Sequence, residues 1–297
     1  MKTAIALCVD SEYAEHAAVL IDSLSENYHY RQELSVVCIV PEGDSKAFET
    51  IKTLTNIEAC LALELVVVPD SEYGWLKELK WSKDVGIIQV NHVNWSKSIP
   101  ATLWYRLFLG SLLPDYDRAI YMDLDMLVVR DIAPLINYPQ FAPLLATYDT
   151  VGVPYLYNLH QGELSHFISG LLIMDLNWWR TSGIEDSFKK DLLENGPHEL
   201  LDEYLLNKYC LPHWHPLPVT FNFVSYSYNK YGVPNWDSSY LPKAIFKHAI
   251  VMHFAGPIKP WNAEEVAGGD NSEIGEEWRR RRALLFTERE PKGLGEQ

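Results

Sequence analysis

Basic residues are in short supply. The 297-residue chain carries 25 Lys and Arg against 40 Asp and Glu, a formal net charge of −15. Polyanion binding needs clustered cations to neutralise phosphates, so this balance argues against a general nucleic-acid binder. Any anionic ligand must then be held by local groups. Cysteine is also scarce: Cys8, Cys38, Cys60 and Cys210 show no CxxC or zinc-like spacing, and with Cys8 and Cys38 inside apolar runs they read as reduced core thiols. Long hydrophobic stretches are missing as well. The opening MKTAIALCVD has one lysine and meets an acid at Asp10, too short an apolar run for a signal-peptide core or a membrane span. A cytoplasmic location is the expectation. Internal repeats, long linkers and low-complexity tracts are absent too, which favours one domain over an array.

What is present is 47% hydrophobic residues, enough for a sizeable core. In the first half, short β-rich apolar runs alternate with longer amphipathic stretches, the pattern of βαβ units and a mainly parallel sheet with flanking helices. The expected strands are residues 3–9, 34–40, 64–68 and 118–124, followed by 144–147 and 170–176. Between the first two, Ala14, Ala17, Ala18, Ile21 and Leu24 fall at helical spacing behind Ser11, the expected N-cap. Residues 211–240 are rich in Pro, Trp, Tyr and Asn and read as loops over the sheet. From Glu276 a helix is expected to carry Arg279, Arg280, Arg281 and Arg282.

The strongest local signal is Tyr121-Met122-Asp123-Leu124-Asp125-Met126-Leu127-Val128. Residues i and i+2 of a strand project to one side. Two carboxylates so close in an apolar run repel unless a cation compensates them. The alternative is a strand-end turn with both acids in water. His253 favours the metal, because an imidazole beside two carboxylates suits Mn²⁺ better than the oxygen-demanding Mg²⁺. It lies in Val251-Met252-His253-Phe254-Ala255-Gly256, followed by Lys259 and Trp261. There Gly256 lets a phosphate approach the backbone and Lys259 supplies positive charge. Asp10 and the acids after Tyr121 stand at carboxyl ends of expected strands, where open α/β sheets gather ligands.

Asp123-Leu124-Asp125 together with residues 253–261 resembles glycosyltransferase family eight, the group of glycogenin and the bacterial lipooligosaccharide galactosyltransferases, over most of the chain. The resemblance implies a Rossmann-like, nucleotide-binding fold of the glycosyltransferase A type. It implies a retaining enzyme that moves a hexose, galactose or glucose, from a UDP-sugar to a glycan, lipid-linked or protein acceptor. Mn²⁺, with Mg²⁺ as the alternative, would be held by Asp123, Asp125 and His253. The segment Cys8-Val9-Asp10-Ser11-Glu12-Tyr13 is similar to the family's uridine-binding strand and turn, with Asp10 on the uracil or ribose and Tyr13 on the base. Arg106 stands at the family's donor-contacting arginine, and Leu124, Gly256 and Lys259 complete the implied nucleotide contacts. Leu201-Asp202-Glu203-Tyr204 resembles the stretch that sets an acid and an amide beside the transferred sugar. Here Glu203 replaces the usual Gln, an acid able to act as a nucleophile or only to stabilise positive charge at the sugar.

Phe167-Ile168-Ser169-Gly170 departs from the family, which usually has Asn where Ile168 stands. An apolar side chain cannot bond sugar hydroxyls, so donor choice does not transfer from better-known members. Asp149 is similar to a further sugar-contacting acid. The implied organisation is a catalytic domain over residues 1–275 and a basic helix and tail over 276–297. The Arg279 to Arg282 run offers peripheral contact with an anionic inner membrane face, or else a solvated helix paired with Glu276 and Glu277. Rival readings are a sugar-nucleotide or glycan-binding protein on the same fold, and a metal-dependent phosphohydrolase or nucleotidyltransferase.

Overall fold

The computed structural model describes residues 1–30, 33–55, 61–80, 99–148, 166–198, 200–224, 247–256, 259–262 and 273–287. Strands β1 (Thr3–Cys8), β2 (Leu34–Pro41), β3 (Leu61–Val68) and β4 (Arg118–Met122) form the first half of a seven-stranded sheet. The short β5 (Met126–Val128) leaves that sheet, and β6 (Leu144–Tyr148), β7 (Phe167–Asp175) and β8 (Trp214–Pro216) return to it. Its order is β3-β2-β1-β4-β7-β6-β8, with β7 alone running against its neighbours. A three-stranded sheet, ordered β5-β10-β9, is built from β5, β9 (Phe223–Val224) and β10 (Val251–His253).

Every residue of β4, and all of β1 after Thr3, is buried, because cores lie on both faces of the sheet. On one face Ala4, Ala6 and Tyr121 pack with Trp104, Phe108, Trp179 and Phe188. On the other Ile5, Leu7 and Ile120 pack with Leu20, Ile21 and Leu24. Strands covered on both sides lose the alternation of polar and apolar residues, which is why they stand out in the sequence as continuous apolar runs. The expected strands match β1 to β4, β6 and β7 within a few residues, and the mainly parallel α/β architecture is as expected.

Three local expectations are corrected. Helix Ala14–Glu26 forms, but no side chain caps it through Ser11. Ser11 instead gives its backbone N–H to Asp44 at 2.8 Å and its hydroxyl to the same carboxylate. Asp10 takes over at the helix entrance by accepting the Tyr13 N–H at 3.1 Å. Secondly, β4 ends at Met122, so the paired acids occupy the turn between the two sheets and not a strand. Thirdly, the described part of the Pro- and Trp-rich stretch contains β8 and β9. Pro216 lies in the edge strand β8, where its missing N–H breaks no central ladder.

Helix Glu273–Thr287 returns to the start of the chain. Trp278 is fully buried, in a cluster with Ala18, Val19, Leu127, Met252 and Phe254. Arg281 pairs with Asp22 at 3.1 Å and also with Glu26, and Arg282 pairs with Glu15 at 2.7 Å. This helix joins the first helix to the small sheet. Cys8, Cys38 and Cys210 are free and buried, and burial pushes the thiols of Cys8 and Cys38 up to about 12; Cys60 lies outside the described residues. Among the described residues no helix is long and apolar enough to cross a membrane.

Candidate active site

Asp123 and Asp125 occupy the span where the chain leaves the large sheet at Met122 and enters the small one at Met126. Two backbone hydrogen bonds fix the crossing. The Asp123 N–H donates to the Gly170 carbonyl at 2.8 Å, and the Phe254 N–H donates to the Asp125 carbonyl at 2.8 Å. One acid is thereby registered on β7 and the other on the end of β10. His253 closes β10, and its Nε2 lies 3.8 Å from Asp123 Oδ2 and 3.2 Å from Asp125 Oδ1. The three donor atoms fall within 4.8 Å of one another.

These residues fit a divalent cation. His253 Nδ1 meets Asn222 Oδ1 at 3.0 Å; with that oxygen as acceptor, Nδ1 carries the proton and Nε2 turns a lone pair toward the acids. Asp125 Oδ1 is buried and has no hydrogen bond. A lone pair facing a carboxylate oxygen in a buried place is unfavourable without a positive charge between them. Burial opposes ionisation of Asp125, but the adjacent Lys259 ammonium outweighs it and holds the carboxyl well below the usual range. The other oxygen of Asp125 is ion-paired with Lys259 Nζ, which also donates to the Phe254 carbonyl at 2.7 Å.

Gly170 has a more specific duty than leaving room for a ligand. A Cβ there would overlap His253 Cε1 and fall 2.9 Å from both His253 Nδ1 and Asp123 Oδ2. The imidazole and the acid therefore converge only because residue 170 lacks a side chain.

Beneath the acids lies Arg106, which is 7% exposed. It is no helix-surface cation: Nη2 pairs with Asp123 Oδ1 at 2.8 Å, Nη1 lies 3.3 Å from Asp202 Oδ2, and the guanidinium stacks 4.4 Å above the Tyr121 ring. Burial works against its charge, yet Asp123 and Asp202 raise it well above the ordinary arginine range. The Tyr121 hydroxyl completes the arrangement by donating to Asp123 Oδ1 at 2.6 Å.

Asp202 and Glu203 begin helix Leu201–Cys210, whose first residue has φ +54°. A non-glycine residue in that region costs about 1–3 kcal/mol and points to a constrained site. The two acids differ in surroundings. Asp202 is buried, and burial pushes its carboxyl up to about 6 while Arg106 pulls the other way. Glu203 reaches the open cleft.

That cleft has a volume of about 530 Å³. Asp10, Tyr13 and Thr102 line one end, with the Thr102 hydroxyl donating to Asp10 Oδ2 at 2.9 Å. Arg106, Asp123, Leu124, Asp125 and His253 line it too, as do Gly256, Lys259, Ile168 and Glu203. Gly256 has φ +86°, a left-handed turn open to glycine. Among the described residues, every site residue expected from the sequence except Asp202 faces this one space, and Asp202 backs it through Arg106. Asp149 lies outside the described residues. Sequence reasoning missed Asn222, Thr102, Tyr121 and His166. Of these, only Tyr121 stands in a recognisable pattern, two residues before Asp123.

The family model described as glycosyl transferase family 8 matches residues 4–265. The chain belongs to that family. General stress protein A of Bacillus subtilis is 24% identical over 273 residues, 87% of each chain. Glycosyltransferase GlyF of Streptococcus pneumoniae is 25% identical over 59% of this chain, which spans 40% of GlyF. Among solved structures, galactosyltransferase LgtC in complex with donor and acceptor sugar analogues superposes with a TM-score of 0.65 at 18% identity, covering 95% of this chain and 96% of LgtC. The bifunctional glycosyltransferase WbbM gives 0.68 at 18% identity, over 94% of this chain and 51% of WbbM. The fold is therefore that of the A-type glycosyltransferases, and the family is one of transferases.

Proposed function

We propose that this family 8 protein is a retaining hexosyltransferase that uses Mn²⁺ to transfer galactose or glucose from a UDP-sugar to a glycan or glycoconjugate acceptor. The observation that carries the proposal is the buried, unbonded Asp125 Oδ1 facing the lone pair of His253 Nε2, with Asp123 Oδ2 beside them. Asp123, Asp125 and His253 would hold the ion, and Mn²⁺ suits two carboxylates and one imidazole. Bound there, the cation supplies Lewis-acid stabilisation to the departing diphosphate.

The remaining steps belong to the protein's own side chains. Asp10 and Tyr13, at one end of the cleft, take the uridine. Lys259 carries charge to the diphosphate from the Gly256 turn. Arg106 stays between Asp123 and Asp202 and keeps Asp123 aimed. Glu203 faces the sugar from the side opposite the leaving group, either to bond C1 as UDP departs and be displaced by the acceptor hydroxyl, or to stabilise positive charge there while the acceptor attacks. The catalytic unit runs through residues 1–275, with the C-terminal helix anchoring its small sheet. The acceptor is a carbohydrate or glycoconjugate. Arg281 and Arg282 are neutralised by Asp22, Glu26 and Glu15, which argues against membrane contact through the arginine run.

UDP release from UDP-galactose, UDP-glucose, UDP-N-acetylglucosamine and UDP-xylose, with Mn²⁺ or EDTA, tests the reading. Release from one hexose donor that needs Mn²⁺ and disappears in Asp125→Asn is the expected result. No release together with metal-dependent UDP binding would leave a binding protein, and release of phosphate or pyrophosphate in place of UDP would make it a hydrolase or nucleotidyltransferase.

A further inference from the structure

Glu203 does not hang freely in the cleft. Its Oε2 accepts the Ser169 N–H at 3.2 Å, and its Oε1 lies 2.9 Å from Nε2 of His166, a residue 8% exposed. The direction of this second bond follows from Asn207, one helical turn beyond Glu203. Asn207 Oδ1 accepts the Phe167 N–H at 3.0 Å, and its Nδ2 donates to the carbonyls of Phe167 and Glu203, each at 2.9 Å. An amide has two hydrogens, and both have carbonyl acceptors. The 3.3 Å approach of Asn207 Nδ2 to His166 Nε2 therefore claims no hydrogen, and Nε2 is left to donate to Glu203.

We infer that His166 is a positioning residue for transfer: by donating Nε2–H to Glu203 Oε1, opposite the Ser169 N–H on Oε2, it aims the carboxylate at the sugar-bearing part of the cleft. The inference rests on the reading that Glu203 stands beside the transferred sugar. A glutamate has three side-chain torsions, and a carboxylate held by one donor still rotates about its last bond. Two donors, one on each oxygen, fix the plane of the group and leave each oxygen a further lone pair for the sugar. Orientation of this kind governs whether a nucleophile or charge-stabilising group meets its target at reacting distance. Asn207 acts one step further back, by tying the start of β7 to the helix that carries Glu203.

The test compares His166→Phe, which keeps a flat ring and removes the donor, with His166→Gln, which returns an N–H. For UDP release, His166→Phe is expected to lower kcat about 10–100-fold while KM for the donor and the affinity for UDP stay within about twofold of wild type. His166→Gln is expected to recover most of that loss. Wild-type kcat in His166→Phe, a loss equal in both variants, or a fall in UDP affinity that matches the fall in kcat would overturn the inference. An independent reading comes from ring ¹⁵N shifts of His166 in the full-length protein: a protonated Nε2 upholds the donated bond and a bare Nε2 overturns it. Should the wild type release no UDP from any donor, the proposed function fails, and the ring shifts still decide the role of His166.

Discussion

The two sheets divide the work unevenly. The seven-stranded sheet is deep, covered on both faces, and supplies most of the core. The three-stranded sheet has strands of two or three residues, yet it supplies His253 and sets the far side of Asp125. A short strand holds little apolar surface of its own. The small sheet draws its support from the cluster around Trp278, Leu127, Met252 and Phe254 and from its register with the large sheet at Asp123 and Gly170. The difference teaches that bulk stability and the precision of the donor set come from separate parts of the molecule, joined at a two-residue acid spacing.

That division can be broken at its support. Trp278→Ala is expected to cost about 3–5 kcal/mol of stability in a urea titration, and Mn²⁺ affinity should fall with it. A cost under about 1 kcal/mol would mean that the small sheet stands without the last helix.

The acids sharpen the comparison, because each leans on a different sheet. Asp125→Asn is expected to lower kcat for UDP release about 10²–10³-fold with a smaller fall in melting temperature than Asp123→Asn, since Lys259, which loses its ion pair, reaches the cleft. Asp123→Asn is expected to lower activity comparably and also to cost about 1–3 kcal/mol of stability, because buried Arg106 then keeps only Asp202 as its ionised partner. Equal melting temperatures in the two variants would dissolve the distinction.

Asn222→Ala removes the acceptor that holds the His253 ring. Mn²⁺ affinity is expected to drop about 10–100-fold by calorimetry, while thermal stability changes less than in Trp278→Ala. Unchanged affinity would show that packing against Gly170 alone orients the imidazole.

The smallest effect concerns His16, stacked 3.9 Å from Trp261 beside Trp278. Burial lowers its pKa to about 4. An unfolded histidine takes up a proton near its ordinary value, so between that pH and about 4 the unfolded state binds more protons than the folded state. Stability then rises with pH and is lost on acidification. From pH 7 to pH 5 the wild type is expected to lose about 1–2 kcal/mol more than His16→Phe, read as the difference between their denaturation midpoints. Parallel pH curves would show that the ring is already free to charge.

The same unevenness governs what can be read from the sequence. Strands β1, β2 and β4 are apolar runs because both their faces are covered, and the Asp123-Leu124-Asp125 spacing is legible because paired acids in such a run need compensation. Strands β9 and β10 are too short to show any period, and His253 is legible only as part of an apolar run that ends at the Gly256 turn with Lys259 beyond it. Asn222 and His166 carry no local pattern; each matters because a distant segment is brought within hydrogen-bond reach. At Ser11 the sequence pointed to a cap, but Asp44 from another loop competes for the same hydroxyl, a contest that only tertiary structure decides. Ile168 lines the cleft as expected, and its apolar side chain marks where donor choice should differ from that of relatives with Asn.

The clasp between helices Glu273–Thr287 and Ala14–Glu26 also bears on how the protein is made. Synthesis runs from the N-terminus, and domains begin to fold as they emerge. The strands β1 to β4 are complete while His253 and Trp278 are still to be translated. Asp22, Glu26 and Glu15 thus wait on the surface of an unfinished protein for arginines that arrive late, and the small sheet that carries His253 receives its cover from Trp278 last. A nascent chain halted before residue 273 would hold Asp10, Tyr13 and the acid pair beside a His253 strand that lacks its Trp278 cover.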